Sequence, residues 1–487
     1  MPGPRYALRT YGCQMNVHDS EKLANLLHHA GFEGPAEEDS ADLLLINTCS
    51  IRDKAEHRLY SDLGLLAAWK AAAPGRAIGV GGCVAQQEGG RILRRFRQVD
   101  FVFGTHNLRL VPAMASGALQ EGRRSLNVAP NRSLDRFDLP APHPDRSVGT
   151  PGRSYVTVME GCDMFCSFCI VPRTRGREIS RPAASILEEV QSLGAAGVQE
   201  ITLLGQTVNA YGRHDERRGQ GRDAGTVPFA QLLKDLDAVP EIRRIRYTSP
   251  HPVFFDSELI RAHGELDSLC PHVHLPLQSG SDRVLAAMRR RYGRHDFLQI
   301  VRALRAARSD LAITTDLIVG FPGETEADFE QTLELVEEVG FVDHYSFKYS
   351  PRPGTAALQL PSPVAGEVAQ ARLEKLQALQ QRLTLDYHRG RVGDVVDVLI
   401  EGPSRRGQGQ QCGRDPYHRV VNLVGSEGEI EPGSVLRVEV VEATKHSLIA
   451  TAFGREGEGD RNDERAKSAG PLLWIEGASA RSRAGAS

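Results

Sequence analysis

The chain has 487 residues, of which 40% are hydrophobic and 25% are charged, and its formal net charge at pH 7 is -3. This is the composition of an ordinary globular protein, and the balance of 59 Lys and Arg against 62 Asp and Glu excludes a globally basic nucleic-acid coat. A chain of this length is expected to form about three domains with large cores. Its 8 Cys are therefore not needed as disulfide staples.

The sequence shows no targeting or membrane-spanning segment. The N-terminus lacks the apolar stretch of a signal peptide, and no apolar run reaches the ~18 to 20 residues that a membrane helix needs. We therefore expect a cytoplasmic protein without a membrane partner. Thiols stay reduced in the cytosol, so clustered Cys favour metal binding or catalysis over disulfides.

The first 126 residues alternate between apolar strand patterns and amphipathic helix patterns. This order predicts an α/β domain with a doubly wound parallel sheet over residues 1–126. We expect Asp19 or Ser20 to cap the first helix. The predicted strands are 5–11, 42–47, 76–80 and 99–103, and the predicted helices are 21–30, 54–73 and 88–97.

The middle of the chain repeats the strand–helix alternation six times. It follows a polar, Pro-rich stretch at 127–152, which we interpret as a linker. Six such units over residues 153–389 predict a TIM-like (β/α)6 barrel, complete or partial, with its chemistry at the carboxyl ends of the strands. The predicted strands are 155–160, 200–204, 245–248, 272–277, 313–319 and 344–349, with helices that include 184–196, 326–339 and 364–389.

Beyond the barrel the composition changes twice. Short Val-rich strands at 395–400, 419–424 and 434–441 predict a small antiparallel barrel or sandwich over 390–454. The tail at 455–487 is charged and rich in Gly and Ala, and we expect it to be disordered.

Three cysteines on one short loop are the strongest chemical signal. Cys162, Cys166 and Cys169 have the spacing C-x3-C-x2-C directly after the first predicted barrel strand. Three soft thiolates can hold three irons of a cubane cluster, which leaves the fourth iron open to a substrate. A zinc site would need a fourth ligand, and none is adjacent. The alternative is three loop cysteines without a metal, and their position at the mouth of a barrel argues against it.

Three further cysteines follow predicted strands of the N-terminal sheet. Cys13, Cys49 and Cys83 each come just after the carboxyl end of a strand. Because these ends share one edge of a parallel sheet, the three thiols are expected to converge, and nearby Gly12 and the pair 81–82 would let the backbone approach a bulky ligand. The alternative is three buried thiols that act as small apolar side chains.

The two remaining cysteines, Cys270 and Cys412, have no partner in the pattern. We interpret them as buried or incidental thiols.

Several segments beyond the cysteine loop carry a family resemblance. Over residues 5–454 the chain resembles the bacterial MiaB-type tRNA methylthiotransferases, a branch of the radical S-adenosylmethionine (SAM) enzymes. The matching segments are YGCQMN at 11–16, LGQ at 204–206, VNAY at 208–211, TSPHP at 248–252, HLPLQSG at 274–280, TDLIVGFPGE at 315–324 and YSPRPGT at 349–355.

The resemblance implies two [4Fe-4S] clusters and bound SAM. The loop cysteines would hold the cluster that cleaves SAM to a 5′-deoxyadenosyl radical, which takes hydrogen from C2 of an adenine. Cys13, Cys49 and Cys83 would hold an auxiliary cluster that delivers sulfur, methylated by a second SAM. It assigns no further catalytic side chain. The candidates for SAM contacts are Gly205, Gln206, Gln278, Ser279, Asp316 and Ile318.

The implied substrate is N6-isopentenyladenosine at position 37 of tRNA, beside the anticodon. An unpaired loop base can be splayed into a pocket at little unstacking cost. The implied partners are the tRNA anticodon stem-loop and a low-potential electron donor, a flavodoxin or ferredoxin, and the implied state is a monomer.

The small β-domain resembles a TRAM RNA-binding module. It departs from the family pattern at 415–418, before Arg419. Arginines after the cysteine loop, at 173, 175, 177 and 181, and the run 289–291, are expected to contact RNA or line domain interfaces. Within the β-domain the candidates for RNA contacts are Arg405, Arg406, Arg414, Arg419 and Lys445.

Two sister activities and one other class remain as alternatives. The sisters are methylthiotransferases that act on threonylcarbamoyl-adenosine of tRNA or on an aspartate of a ribosomal protein. The other class is a non-catalytic RNA-binding protein with a structural cluster. The open C-x3-C-x2-C site argues against it, because a structural cluster gains nothing from a missing ligand.

Overall fold

The N-terminal part of the chain is an α/β domain with a five-stranded parallel sheet. The computed structural model describes residues 3–50, 53–131, 133–137, 139–140, 149–213, 225–404, 410–424 and 430–452. The strands stand in chain order in the sheet, β1 to β5. They are β1 (Tyr6–Tyr11), β2 (Leu43–Thr48), β3 (Ala77–Gly82), β4 (Phe101–Phe103) and β5 (Ser125–Asn127), with helices α1 (Gln14–His29), α2 (Asp53–Ala71), α3 (Cys83–Glu88), α4 (Gly90–Arg95) and α5 (Val111–Glu121).

Both faces of this sheet are covered by helices. Successive side chains of a strand point to opposite faces, so Leu43 and Leu45 pack with α1 and α5 while Leu44 and Ile46 pack with α2 to α4. All six residues of β2 are buried, as an apolar strand between two helical layers requires. The predicted α/β class with helices on both faces is confirmed.

Three details of the N-terminal domain differ from the prediction. Helix α1 begins at Gln14, directly after β1, so Asp19 and Ser20 are buried inside it and cap nothing. The predicted helix at 88–97 is interrupted at Gly89, whose φ of 49° separates α3 from α4. A fifth strand, β5, was not predicted, because its short polar sequence carries little strand signal. It ends at Asn127, where the linker was expected to begin.

The middle region contains six parallel strands in two groups of three. The orders are β10–β9–β6 and β11–β12–β13, and a bridge between Ile245 and Leu269 joins the groups. The strands are β6 (Arg153–Thr157), β9 (Glu200–Leu204), β10 (Arg244–Tyr247), β11 (His272–His274), β12 (Ala312–Val319) and β13 (Asp343–Lys348), with a small antiparallel pair, β7 (Met159–Glu160) and β8 (Ile179–Ser180).

Helices surround these six strands and share one large apolar core with them. The predicted first strand at 155–160 is two strands, because the chain turns between Thr157 and Met159 to pair with β8. The helices are α6 (Val171–Thr174), α7 (Ala183–Ala195), α8 (Phe229–Asp237), α9 (Ser257–Glu265), α10 (Asp282–Ala287), α11 (Arg294–Ala307), α12 (Glu326–Val339) and α13 (Gly366–Arg389).

The C-terminal region is a closed five-stranded barrel with its own apolar core. The sequence predicted three of its strands and missed β15 and β18, which are short and only partly apolar. The strands are β14 (Val395–Pro403), β15 (Gln411–Arg414), β16 (Val420–Val424), β17 (Val435–Ala443) and β18 (Leu448–Ala452). The described residues belong to one compact unit that ends at Ala452. The tail predicted to be disordered, 455–487, lies outside the described residues.

Buried ion pairs attach the small barrel to the central strands. Glu200, at the start of β9, is 2% exposed and pairs with Arg244 and Arg246 of β10. Both arginines also donate to backbone oxygens of the small barrel, at 2.7 Å to Asp397 and 2.8 Å to Asp415. The segment 415–418, which departs from the family pattern, therefore lies in this interface. Among the described residues, no helix is long and apolar enough to cross a membrane.

Candidate iron–sulfur centres

The C-x3-C-x2-C loop lies at the carboxyl end of the first central strands. It follows β7, and the backbone N–H of Cys162 donates to the Gly176 oxygen at 3.2 Å, which folds the following segment back over the loop. The N–H of Cys169 donates to the Cys166 oxygen at 3.1 Å, so the last two cysteines share a tight turn. A backbone bond from Ser167 to the Met288 oxygen, at 3.0 Å, fixes the loop to the segment after α10.

The loop thiols lie close enough to interact electrostatically, with Cys162 buried and Cys166 and Cys169 half-buried. Burial raises the pKa of Cys162 to about 11 and that of Cys169 to about 12. Repulsion from the neighbouring Cys166 contributes in both cases. Such thiols are poor nucleophiles as they stand, but a bound metal ion deprotonates them outright, so the loop fits a ligand set better than a thiol catalyst.

Two side chains contact the sulfur atoms directly. The Thr207 hydroxyl lies 3.1 Å from the Cys162 sulfur. The Arg290 guanidinium donates to the Cys166 sulfur at 3.4 Å and to the Pro276 oxygen at 3.2 Å, and only 6% of the residue is exposed. A buried cation beside three thiolates offsets part of their negative charge.

The predicted SAM-contact residues fall into two groups. Gly205 and Gln206 directly follow β9, and the Gln206 side-chain oxygen accepts the backbone N–H of Gly161, at the start of the cysteine loop. The Gln206 Nε2 atom is buried and has no hydrogen-bond partner among the described residues. An added Cβ at Gly205 would meet Met159 at 2.5 Å. This group therefore lies against the cysteine loop.

The second group lies after β11 and within β12. Gln278 donates its backbone N–H to Asp316 at 2.8 Å and accepts from Ile318 at 2.9 Å, so these three residues lie together. The Asp316 carboxylate also pairs with His274 at 3.2 Å. Ser279 is fully buried, and its hydroxyl faces helix α12. Gln278, Asp316 and Ile318 therefore lie together where the chain after β11 pairs with β12, whereas the Ser279 side chain packs against helix α12.

The other cysteine triad follows the carboxyl edge of the N-terminal sheet. Tyr11, Thr48 and Gly82 stand opposite one another as the last residues of β1, β2 and β3. Cys49 and Cys83 are the next residues along their strands, and Cys13 comes two residues after Tyr11. The predicted convergence of the three cysteines at one sheet edge is therefore what the register produces.

Glycines at the strand ends allow this convergence. A Cβ at Gly12, whose φ is 143°, would lie 2.3 Å from the Cys49 Cβ. A Cβ at Gly82, whose φ is 90°, would lie 2.4 Å from the Thr48 oxygen. Gly81 leaves space for the Phe103 ring. The glycines therefore let the strands and the cysteines come together.

The electrostatic surroundings of this triad favour a thiolate at Cys13. The hydrogen bond with Cys49 lowers the pKa of Cys13 to about 6, and the charge of Arg175 and the N–H groups that begin α1 add to the effect. Burial raises the pKa of Cys83, against the opposing charge of Arg175. Asp19 holds this arginine at 2.5 Å, with both side chains at most 3% exposed.

Arg175 belongs to the segment that follows the C-x3-C-x2-C loop, so this segment links the two triads. The N-terminal domain holds it through Thr105, whose hydroxyl donates to the Thr174 oxygen at 2.7 Å. The His106 ring lies 2.9 Å from the Arg175 oxygen. A cavity of about 500 Å³ opens beside the same segment and is lined by residues that include Gln86, His106, Arg136, Arg173, Arg177 and Glu178.

The candidates for RNA contacts differ in placement. Lys445 is exposed. Arg414 is half-buried and bonds Glu401 at 3.1 Å. Arg419 is 7% exposed and pairs at 3.2 Å with Asp343 of β13, so it lies in the interface with the central strands. Arg405 and Arg406 lie outside the described residues.

Both triads fit iron–sulfur clusters by the chemistry of their donors. Across the described residues, no group of three or more His, Cys, Asp and Glu side chains is placed to bind a single metal ion. A cubane cluster binds each thiolate through a different iron, so its ligands are spaced more widely. The other two cysteines are apart from both triads: Cys270 is buried and Cys412 half-buried.

Comparisons with known proteins agree with this architecture. Residues 156–336 match the Radical SAM superfamily, residues 5–104 match the uncharacterized protein family UPF0004, and residues 389–453 match the TRAM domain. The solved structure of the radical SAM methyltransferase TsrM from Kitasatospora setae has a similar fold, with a TM-score of 0.52 and 13% identity over 73% of this chain and 74% of that one. The chain is thus a radical SAM enzyme, a class that uses a [4Fe-4S] cluster and SAM.

Curated relatives define the family more closely. A tRNA-2-methylthio-N(6)-dimethylallyladenosine synthase of Geobacter metallireducens is 47% identical over 91% of this chain and 97% of the relative. Synthases of the same name from Nitratidesulfovibrio vulgaris and Mycobacterium bovis are 44% and 43% identical, covering 98% and 87% of their own lengths. The chain belongs to the family of tRNA-2-methylthio-N(6)-dimethylallyladenosine synthases.

Four side chains near the sulfur atoms had no role at the clusters in the sequence reading. Arg175 and Arg290 were expected to contact RNA or line an interface, and both are buried beside a cysteine triad. Asp19 was expected to be a cap, and Thr207 carried no prediction. Lone arginines and threonines have no spacing signal, so only the tertiary structure brings them to the sulfur atoms.

Proposed function

We propose that the protein is a tRNA methylthiotransferase that converts N6-dimethylallyladenosine at position 37 of tRNA, next to the anticodon, to its 2-methylthio derivative. One observation carries the proposal: two cysteine triads, in separate parts of the fold, are linked by the segment that follows the first. The names of the curated relatives support the tRNA substrate.

Cys162, Cys166 and Cys169 are the proposed ligands of the radical SAM cluster. When bound, the cluster and SAM supply a carbon radical strong enough to take hydrogen from C2 of adenine, which acid–base side chains cannot do. Gly205 and Gln206, which lie against the cysteine loop, would orient SAM together with Gln278, Asp316 and Ile318. Ser279 would support the second group from behind. Arg290 would offset part of the negative charge of these thiolates.

Cys13, Cys49 and Cys83 are the proposed ligands of a second [4Fe-4S] cluster, the source of the transferred sulfur. The low pKa of Cys13 and the nearby guanidinium of Arg175 favour thiolates at this site. Sulfur transfer requires the adenine to reach both centres, and the segment 172–179 borders both of them.

The cavity beside this segment is the proposed entrance for the anticodon loop. Arg136, Arg173 and Arg177 line it; Arg136 is buried and pairs with Glu160 at 3.4 Å, so Arg173 and Arg177 are the proposed donors. Such donors fit RNA phosphates. In the β-domain, Lys445 and Arg414, with Arg405 and Arg406, are proposed to extend the contact; Arg419 would support the domain from within.

The remaining assignments complete the proposal. The enzyme would act as a cytoplasmic monomer and take electrons from a low-potential flavodoxin or ferredoxin. Its functional divisions would be an N-terminal auxiliary-cluster domain (1–126), a linker (127–152), a radical SAM barrel (153–389), an RNA-binding β-domain (390–454) and a tail (455–487).

A reconstitution assay tests the proposal. The anaerobically reconstituted protein is incubated with SAM, a reductant and tRNA that carries N6-dimethylallyladenosine. The tRNA is then digested, and its nucleosides are identified by mass spectrometry. We expect the mass of this nucleoside to increase by the difference between a methylthio group and the hydrogen that it replaces. Modification only of threonylcarbamoyl-adenosine, or of a ribosomal-protein aspartate supplied in parallel, would overturn the proposed substrate. A Cys162→Ala variant, which should form no product, is the control.

A further inference from the structure

A buried arginine links the two cysteine triads through the segment 174–177. Arg175 is six residues beyond Cys169, yet its side chain points into the N-terminal domain and ends beside Cys13 and Cys83. The side chain is 3% exposed, and its carboxylate partner Asp19 is 2% exposed. Burial of charges this deep is costly unless the groups are paired and hydrogen-bonded.

The pairing of this arginine is incomplete. Nη2 donates to Asp19 at 2.5 Å, but Nη1 is buried and has no hydrogen-bond partner among the described residues. A guanidinium has five donors in a rigid fork, so fixing one arm on a carboxylate also fixes the direction of the other. Unmet buried donors are rare, and one beside Cys13 and Cys83 indicates an anionic partner at the cysteine triad.

We propose that Arg175 is a positioning residue of the auxiliary cluster, and that its Nη1 group donates to a cluster thiolate or sulfide while Asp19 holds the guanidinium in place. This inference rests on the second cluster of the proposed function. A [4Fe-4S] cluster with three thiolates is an anion, and it gains a further negative charge when reduced. A fixed cation therefore stabilises the reduced state more than the oxidised state, which raises the reduction potential.

The position of Arg175 gives this contact a second consequence. The same backbone segment that carries it covers the C-x3-C-x2-C loop through the bond from Cys162 to Gly176. An anionic cluster at the N-terminal triad would hold this segment through Arg175. The charge on the auxiliary centre is thereby coupled to the seating of the radical SAM loop.

The test isolates the auxiliary cluster in the full-length chain. Cys162, Cys166 and Cys169 are replaced by Ala, and the protein is reconstituted anaerobically, which should leave about four iron atoms per chain. Arg175→Gln and Arg175→Lys are compared in this background. Arg91→Gln is the matched control, because it removes the same charge from a side chain that is 72% exposed. Iron content and the midpoint potential, from the electron paramagnetic resonance of the reduced cluster, are measured.

We expect Arg175→Gln to lower the ratio of reduced to oxidised cluster at least tenfold at a given potential, a shift of about 59 mV to more negative values. Arg175→Lys, which keeps the charge, should shift it less, and Arg91→Gln should not. Equal midpoints for Arg175→Gln and Arg91→Gln would overturn the proposal, as would equal shifts for the Gln and Lys variants.

Loss of the cluster is also informative. If Arg175→Gln binds no iron but Arg175→Lys does, the cation is required to hold the cluster, which supports the proposal. If neither variant binds iron while circular dichroism shows a folded chain, charge is not the property that matters, and the proposal fails. If the triple-Ala background with Arg175 intact binds no iron, the second cluster itself is refuted, which is a failure of the proposed function.

Discussion

Replacement of Gly82 by Ala should remove the auxiliary centre while the radical SAM centre remains. Gly82 ends β3 immediately before Cys83, at a φ of 90°. Its ψ is -164°, so this backbone conformation is essentially restricted to glycine, and an alanine there costs about 1–3 kcal/mol. Its Cβ would also lie 2.4 Å from both the Thr48 oxygen and the Asn47 Oδ1 atom. Relief requires movement of strand β2, which adds about 1–3 kcal/mol.

The sum is about 2–6 kcal/mol, concentrated at the strand end that positions Cys83. The matched control is Gly64→Ala in helix α2, where an added Cβ meets nothing within 4 Å. That change should stabilise the same domain by about 0.5–1 kcal/mol. Both variants are assayed for iron content after reconstitution and for thermal unfolding.

We expect Gly82→Ala to bind about four iron atoms per chain instead of about eight, with a lower unfolding temperature. Gly64→Ala should keep all its iron and unfold no earlier than the parent. Full iron content and an unchanged melting temperature in Gly82→Ala would refute the reasoning, because the clash with Thr48 could not then be real.

Three further predictions concern the central barrel. Thr207→Val removes the hydroxyl beside Cys162, worth about 1 kcal/mol, and should slow reductive SAM cleavage about fivefold, whereas Thr207→Ser should not; equal rates would contradict this role. Glu200→Gln leaves two buried arginines without their carboxylate and should cost about 3–5 kcal/mol, seen as earlier proteolysis of the β-domain; unchanged proteolysis would count against the interface. Burial lowers the pKa of His263 to about 3 and that of His251 to about 2. Between about pH 6.5 and those values these two histidines take up protons only in the unfolded chain, so the free energy of unfolding should fall by about 1.4 kcal/mol per histidine at pH 5.5. The melting temperature of His263→Gln should fall less than that of the parent between pH 7.5 and 5.5. An identical fall in both proteins would contradict this role of His263.

The sequence predicted the elements whose patterns are long or strongly apolar. The helix at 326–339 was predicted with the bounds observed, because a Thr325 cap and a Gly340 end mark it. All six central strands were also expected. Strand β5 and strand β15 were missed, since three or four half-polar residues give no period to detect.

The candidate site was predictable to the extent that its residues follow strand ends. Cys49 and Cys83 come directly after strands, so parallel topology alone brings them together. Asp19 and Arg175 are separated by 156 positions, and nothing in either local sequence relates them. Their contact depends on how the N-terminal domain seats against the cysteine loop, which is a property of the assembled chain.

The central claim is that two separate cysteine triads hold two clusters with different tasks. The measurement that tests it most directly uses a variant with Cys13, Cys49 and Cys83 replaced by Ala, assayed for iron, SAM cleavage and methylthiolated nucleoside in one preparation. The account predicts about four iron atoms per chain, continued formation of 5′-deoxyadenosine and no methylthiolated nucleoside. Iron content equal to that of the parent, or a methylthiolated product, would contradict it.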